Sequence, residues 1–219
     1  MYTEIKYVKP KLKLYGQIAI VGSSNKLSEQ NYSSKIDSFD EVVRFNRAPV
    51  EGYESVVGSK TTLRGVNNHV FENKEIESRG YTNQPTNFIK DLRRQRLLYI
   101  SGGERQWKKR YRNTHISNKL HKFDYSKVPE IKKCLDLKID SQLQIGTLFI
   151  GLCVISDVKP TIFGFDTLPV PRKHYFEDRP SDLSKLIHKI TDEIDAILKL
   201  EEKGLIEIKW FKHLINSFA

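Results

Sequence analysis

The residues best placed to do chemistry are a polar turn, Gly22-Ser23-Ser24-Asn25, and a second short stretch, Arg44-Phe45-Asn46-Arg47-Ala48-Pro49. The turn closes an apolar run at 17–21 and leads toward a weakly helical segment at 31–39. A strand, a tight polar turn and a helix together leave backbone N–H groups free, which is the chemistry of phosphate binding. The turn lacks the lysine of a P-loop and the three glycines of a dinucleotide fingerprint, so taken alone it better fits an ordinary strand-to-helix connection. Two histidines stand in suggestive surroundings: His174 opens His174-Tyr175-Phe176-Glu177, and His188 precedes Glu193 by five positions. An isolated His188 on a helix begun at Asp182 would sit off the apolar stripe and face solvent. His69, His115, His121 and His213 have no comparable context and suit surface roles.

Positioning such residues requires a framework, and the hydrophobic pattern supplies one. Apolar runs predict strands over 17–21, 40–46, 61–66, 97–100, 161–165 and 205–210. Helical spacing predicts helices over 86–95, from Pro129, over 144–155, and from Ser181 or Asp182 to about Glu202, with Gly204 as the stop. Strands alternating with helices imply an α/β fold with a mainly parallel sheet covered by helices on both faces. Ligands in such folds gather at loops beyond the carboxyl ends of the strands, here 22–25, 46–49, 101–103 and 164–167. No repeat or linker divides residues 1–219, so one domain is the simplest organisation.

Composition bounds the rest. The chain has 219 residues, 38% hydrophobic and 29% charged, and no run of about 18 apolar residues, so a globular protein is expected and a membrane span is not. The first sixteen residues carry charge throughout and lack an apolar signal core, which predicts a cytoplasmic chain. Cys134 and Cys153 match no metal spacing and are expected to be reduced thiols. A net charge of +10 favours anionic partners: nucleic acid, a nucleotide-activated sugar or an anionic glycolipid. Arg105, Lys108, Lys109, Arg110 and Arg112, interleaved with Trp107 and Tyr111, would suit nucleic acid, lipid headgroups, an anionic glycan or simply a solvated loop.

The stretch 18–62 resembles the large sialyl motif (L) of the eukaryotic-type sialyltransferases. The corresponding residues are Gly22-Ser23-Ser24, Ile36-Asp37-Ser38-Phe39-Asp40, Arg44-Phe45-Asn46-Arg47-Ala48-Pro49 and Val57-Gly58-Ser59-Lys60-Thr61-Thr62, in the family's order. The small motif (S) looks like Ile145-Gly146-Thr147 through Phe163-Gly164-Phe165-Asp166, the third motif like His174-Tyr175-Phe176-Glu177, and the very small motif (VS) like His188 with Glu193. The resemblance implies a Rossmann-like, GT-A-like domain. It further implies inverting, metal-independent transfer of sialic acid, or a related ulosonic acid, from a CMP-sugar to a glycan hydroxyl. The absence of an Asp-x-Asp motif agrees with metal-free transfer. No cofactor is implied, since the CMP-sugar is a co-substrate.

Carried over residue by residue, Ser23, Ser24 and Asn46 would hold the cytidine monophosphate. Gly146 and Thr147 would lie against the donor, and Gly164 beside the nucleotide. His174, helped by Tyr175, would contact the leaving phosphate, and His188 would be the general base. Glu193 suits a structural role. Breaking the bond to CMP puts negative charge on phosphate, which an imidazolium or backbone N–H can stabilise, while a neutral imidazole takes the acceptor proton near pH 7.

The chain departs from the family pattern at Ser23, where the family has Asn. It departs also at Gln144 and Ile145, which replace hydroxyl residues, and at Asp166, which replaces a glycine. The disulfide of the animal enzymes would join positions 18 and 157, occupied here by Ile18 and Asp157. Without that link or an anchor, a bacterial or viral setting such as lipopolysaccharide assembly is the expectation, with peripheral contact to an anionic membrane. CMP-Kdo is the alternative donor, because the motifs mainly grip CMP. A basic nucleic-acid-binding protein without transferase activity is the competing class, although no nucleic-acid fold signature accompanies the basic cluster. Acceptor specificity is expected in 67–143 and 169–180.

Overall fold

The computed structural model describes residues 1–67, 92, 95–100, 120–138, 142–165, 174–176 and 190–209. Among them the strands are β1 (Tyr2–Ile5), β2 (Val8–Lys9), β3 (Leu12–Tyr15), β4 (Ile18–Val21), β5 (Glu41–Phe45), β6 (Leu63–Val66), β7 (Arg96–Tyr99), β8 (Leu120–Phe123), β9 (Thr161–Phe163) and β10 (Glu207–Ile208). The helices are α1 (Ser33–Asp37), α2 (Glu54–Val57), α3 (Val128–Cys134), α4 (Ile145–Ile155) and α5 (Ile190–Glu202). None of the described helices is long and apolar enough to cross a membrane.

The main sheet runs β10-β9-β4-β5-β6-β7-β8-β2. Every neighbouring pair is parallel except β2 against β8. The central strands β4 and β5 are buried at every residue, as parallel strands covered on both faces must be. Side-chain alternation divides two cores. Ile18 and Ile20 of β4 pack with Leu148, Leu152, Ile131, Ile197 and Leu200 from α3, α4 and α5. Ala19 and Val21 pack on the other face with Ile36, Leu27, Val57 and Ala48. The α/β architecture with helices on both faces therefore stands as expected.

The chain lays down β4, then steps outward through β5, β6, β7 and β8, and returns to place β9 on the other side of β4. The boundary between β4 and β9 is thus a topological switch point, the place where ligands bind in open parallel sheets. Val21 pairs with Phe163 at that end, so Gly22 and Gly164 follow side by side.

Several elements differ from expectation. Residues 1–16, read as merely charged, form three strands, with Ile5, Leu12 and Leu14 buried and β1 antiparallel to β3. Strand β8 was also missed. The helix expected over 86–95 lies outside the described residues save for Leu92 and Gln95, as do the 101–103 turn, the basic cluster at 104–113 and the start of the last helix. Helix α5 is followed as expected by Gly204, whose φ is +69°. Cys134 and Cys153 are free thiols, and burial pushes the Cys153 thiol up.

Candidate active site

The turn after β4 is held from two sides by backbone. The Gly22 N–H donates to the Phe163 carbonyl at 2.8 Å, and the Ser24 N–H to the Gly164 carbonyl at 3.0 Å. A Cβ on Gly22 would lie 2.3 Å from the Gly164 oxygen, so only glycine permits this approach. Gly164 itself has φ +65° and touches Leu27 where a side chain would stand. Ser24 is buried, and its Oγ accepts from the Lys26 N–H at 3.2 Å, capping a short 3-10 turn over Asn25–Glu29.

The segment 174–176 docks across this turn. Ser24 and His174 form an antiparallel bridge, and the Tyr175 N–H donates to the Ser23 carbonyl at 3.0 Å. The Ser23 hydroxyl meets His174 Nδ1 at 2.7 Å. The imidazole stacks on Phe176 with ring centroids 5.2 Å apart. Tyr175 is buried, edge-on to Tyr53, and its hydroxyl donates to the Pro49 carbonyl. Burial pushes the phenol up, with Arg44 and Arg64 opposing only in part, so it remains a protonated donor. Tyr175 therefore supports the 46–49 loop; its hydroxyl is engaged there rather than directed at a phosphate.

Asn46 leaves β5 in the left-handed region, φ +45°, a conformation asparagine tolerates. Its N–H donates to the Gly65 carbonyl at 2.8 Å, and its Oδ1 accepts from the Asn67 N–H at 3.1 Å. Behind this loop stand two buried arginines. Arg44 donates to the carbonyls of Val57, Gly58 and Lys60 and to the Thr61 hydroxyl. Arg64 donates to the carbonyls of Asn46 and Ala48, both at 2.9 Å. Asp37 receives the N–H groups of Ser59 and Lys60 and the Ser59 hydroxyl. Burial pushes this carboxyl up, but those donors outweigh it and hold it below the usual aspartate range.

Helix α4 presents its N-terminus at the same strand ends. A Cβ on Gly146 would stand 2.8 Å from the Phe165 ring and 3.6 Å from the Phe45 ring, at the ends of β9 and β5. The Gln144 side chain makes no cap bond. The cap comes from α5: Glu193, only 3% exposed, accepts the Gln144 N–H at 3.1 and 3.2 Å and the Thr147 hydroxyl. A carboxylate at a helix N-terminus satisfies orphan N–H groups and complements the helix dipole.

Ser23, Ser24, Asn46, Gly146, Thr147, Gly164, His174 and Tyr175 thus come together around the carboxyl ends of β4, β5 and β9. Thr147 is buried with its hydroxyl on Glu193, and Glu193 is structural as expected. His188 and Asp166 lie outside the described residues, as do His69, His115 and His213. His121 bonds the Pro10 carbonyl at the far edge of the sheet. Sequence reasoning assigned no role to Arg64. The available signal was a cation inside the otherwise apolar strand 63–66.

A mainly parallel sheet with glycines and an imidazole gathered at its switch point defines an α/β protein of Rossmann-like fold with a candidate ligand site at the carboxyl ends of its strands. The model of glycosyltransferase family 29 (sialyltransferase) matches residues 4–133, and the chain belongs to that family. Beta-galactoside alpha-2,6-sialyltransferase 2 of Gallus gallus is 42% identical over 59 residues, 27% of this chain and 11% of that protein. CMP-N-acetylneuraminate-beta-galactosamide-alpha-2,3-sialyltransferase 1 of Gallus gallus is 59% identical over 44 residues, 20% of this chain and 13% of that protein. The matches span little more than a tenth of these curated relatives. The crystal structure of a mammalian sialyltransferase in complex with Gal-beta-1-3GalNAc-ortho-nitrophenol superposes with a TM-score of 0.66 at 21% identity, over 89% of this chain and 69% of that one, which establishes a shared fold.

Proposed function

We propose that this chain transfers sialic acid, or a related ulosonic acid, from a CMP-activated donor to a glycan hydroxyl, with inversion and without a metal. The observation that supports this most is the Ser23–His174 pair, 2.7 Å apart at the switch point between β4 and β9. It sets an imidazole, a group able to meet phosphate charge, at the carboxyl ends of the parallel strands. In this reading the acceptor oxygen attacks the sugar carbon as the bond to the CMP phosphate breaks on the opposite face, which inverts the centre. His188 takes the acceptor proton, and CMP departs with its charge met by His174. Preorganised donors of this kind stabilise charge as it develops, so the residues can do the work a metal does elsewhere.

The test is release of CMP from CMP-sialic acid and from CMP-Kdo, each with candidate glycan acceptors, with and without EDTA. Turnover that survives EDTA is expected, and the preferred donor decides between the two sugars. His188→Ala should abolish transfer and leave CMP binding intact; retained turnover would reject His188 as the base. Tight, salt-sensitive binding of DNA or RNA with no affinity for CMP would overturn the enzymatic reading.

A further inference from the structure

We infer that Arg64 is a positioning residue of the donor site, acting through the loop 46–49. The inference rests on the donor-site reading above. Arg64 is 2% exposed, inside β6, where a cation is costly unless its donors are used. Its Nη1 donates to the carbonyls of Asn46 and Ala48 at 2.9 Å, and its Nε to Gln95 Oε1 at 2.7 Å, which aims the guanidinium. The Tyr175 hydroxyl takes the next carbonyl, Pro49. Carbonyls 46, 48 and 49 are therefore all drawn back into the protein from behind the crevice.

Pulling those carbonyls inward fixes what the loop presents outward. The Asn46 backbone sits at φ +45°, which asparagine tolerates at some cost, and the bonds to the 46 and 48 carbonyls help to hold it there. The Asn67 N–H occupies Asn46 Oδ1, which settles the orientation of the carboxamide. Its Nδ2 donor is thereby the face left to a ligand, so the site reads an acceptor atom on the nucleotide. One nitrogen, Nη1, serves both carbonyls while Nε is held by Gln95, and a lysine ammonium has no second nitrogen by which it could be aimed in this way.

The test is titration of CMP into the full chain, alongside thermal melting, for wild type, Arg64→Lys, Gln95→Ala, Asn46→Ala and Arg64→Lys with Asn46→Ala. Arg64→Lys should raise the CMP dissociation constant about 10-fold, the order of one well-made hydrogen bond lost. Gln95→Ala, which only loosens the aim, should raise it about 3-fold, and keeps the test open if Arg64→Lys does not fold. In the Asn46→Ala background Arg64→Lys should add less than about 2-fold, because the effect passes through Asn46. Lower melting temperatures with unchanged CMP affinity, or effects of Arg64 and Asn46 that multiply independently, would overturn the inference. A wild-type chain that does not bind CMP would instead overturn the functional reading on which it rests.

Discussion

Replacing Glu193 by alanine should loosen the start of α4, and the cost can be worked from the bonds it makes. Glu193 is 3% exposed and accepts from the Gln144 N–H and the Thr147 hydroxyl, the latter on a residue 2% exposed. A hydrogen bond to a charged group contributes about 1.5–3 kcal/mol. Losing both would cost about 3–6 kcal/mol, offset by relief of burying the carboxylate and by water entering the space, for a net loss of about 2–4 kcal/mol. In a chain of this length each kcal/mol lowers the melting temperature by about 2–4 °C, so a fall near 10 °C is expected. Glu193→Gln keeps one acceptor and lets the Thr147 hydroxyl turn to accept from the amide. It loses the charge at the helix terminus and should cost only about 1–1.5 kcal/mol. Urea unfolding followed by circular dichroism gives both values. Because Gly146 and Thr147 begin this helix at the crevice wall, CMP affinity should fall in parallel. An alanine variant within about 0.5 kcal/mol of wild type, or a glutamine variant as damaging as alanine, would refute the assignment of Glu193 as the cap.

Other consequences are equally direct. Tyr175→Phe keeps the buried ring and removes the bond to the Pro49 carbonyl; it should cost about 1 kcal/mol of stability and weaken CMP binding severalfold, and unchanged affinity would detach Tyr175 from the donor site. Asp37 is held below its ordinary value in the fold, so its stabilisation is fully present above the unfolded-state value of about 3.9 and is lost as pH falls through the lower folded one. Asp37→Asn should therefore be less stable than wild type at pH 7, with the gap closing well below pH 4; a gap in urea midpoint that stays constant with pH would contradict this. Ser23→Ala should change the imidazole tautomer balance of His174, seen in its nitrogen-15 shifts, and lower turnover about 10-fold, whereas Ser23→Thr should restore both. Identical spectra for wild type and alanine variant would remove Ser23 from the imidazole's control.

What the sequence disclosed follows the reach of each signal. Strand β4 was legible because Ile18-Ala19-Ile20-Val21 is wholly apolar and a glycine ends it. The start of α3 was legible from Pro129, which lies in its first turn. The N-terminal strands were not, although Leu12 and Leu14 alternate correctly, because Lys11 and Lys13 between them mimic a solvated tail. Strand order was illegible in principle: nothing in Thr161-Ile162-Phe163 says that it will pair with Ala19-Ile20-Val21 rather than with the strand before it. The same limit applies to the site. Glycines, serines and histidines advertised themselves by type and order, but the partners that hold them are long-range. Glu193 reaches a threonine 46 positions away, and Tyr175 a carbonyl 126 positions away.

The division of labour in the crevice explains how the family's asparagine can be a serine at position 23. Nothing about the turn's shape is entrusted to that side chain. Gly22 and Ser24 are fixed by N–H bonds to the 163–164 carbonyls, and the Ser23 carbonyl is fixed by the Tyr175 N–H. That side chain can vary without unmaking the backbone of the turn, and in this chain it is used on His174. A short hydroxyl bonded to the imidazole gives up reach toward a nucleotide and gains control of the ring. Under the proposed function, contact with the nucleotide then falls to Asn46, whose loop is restrained at three carbonyls by Arg64 and Tyr175. In a donor site organised this way CMP affinity should respond more to what stands behind the 46–49 loop than to the identity of residue 23, whose effect falls on turnover.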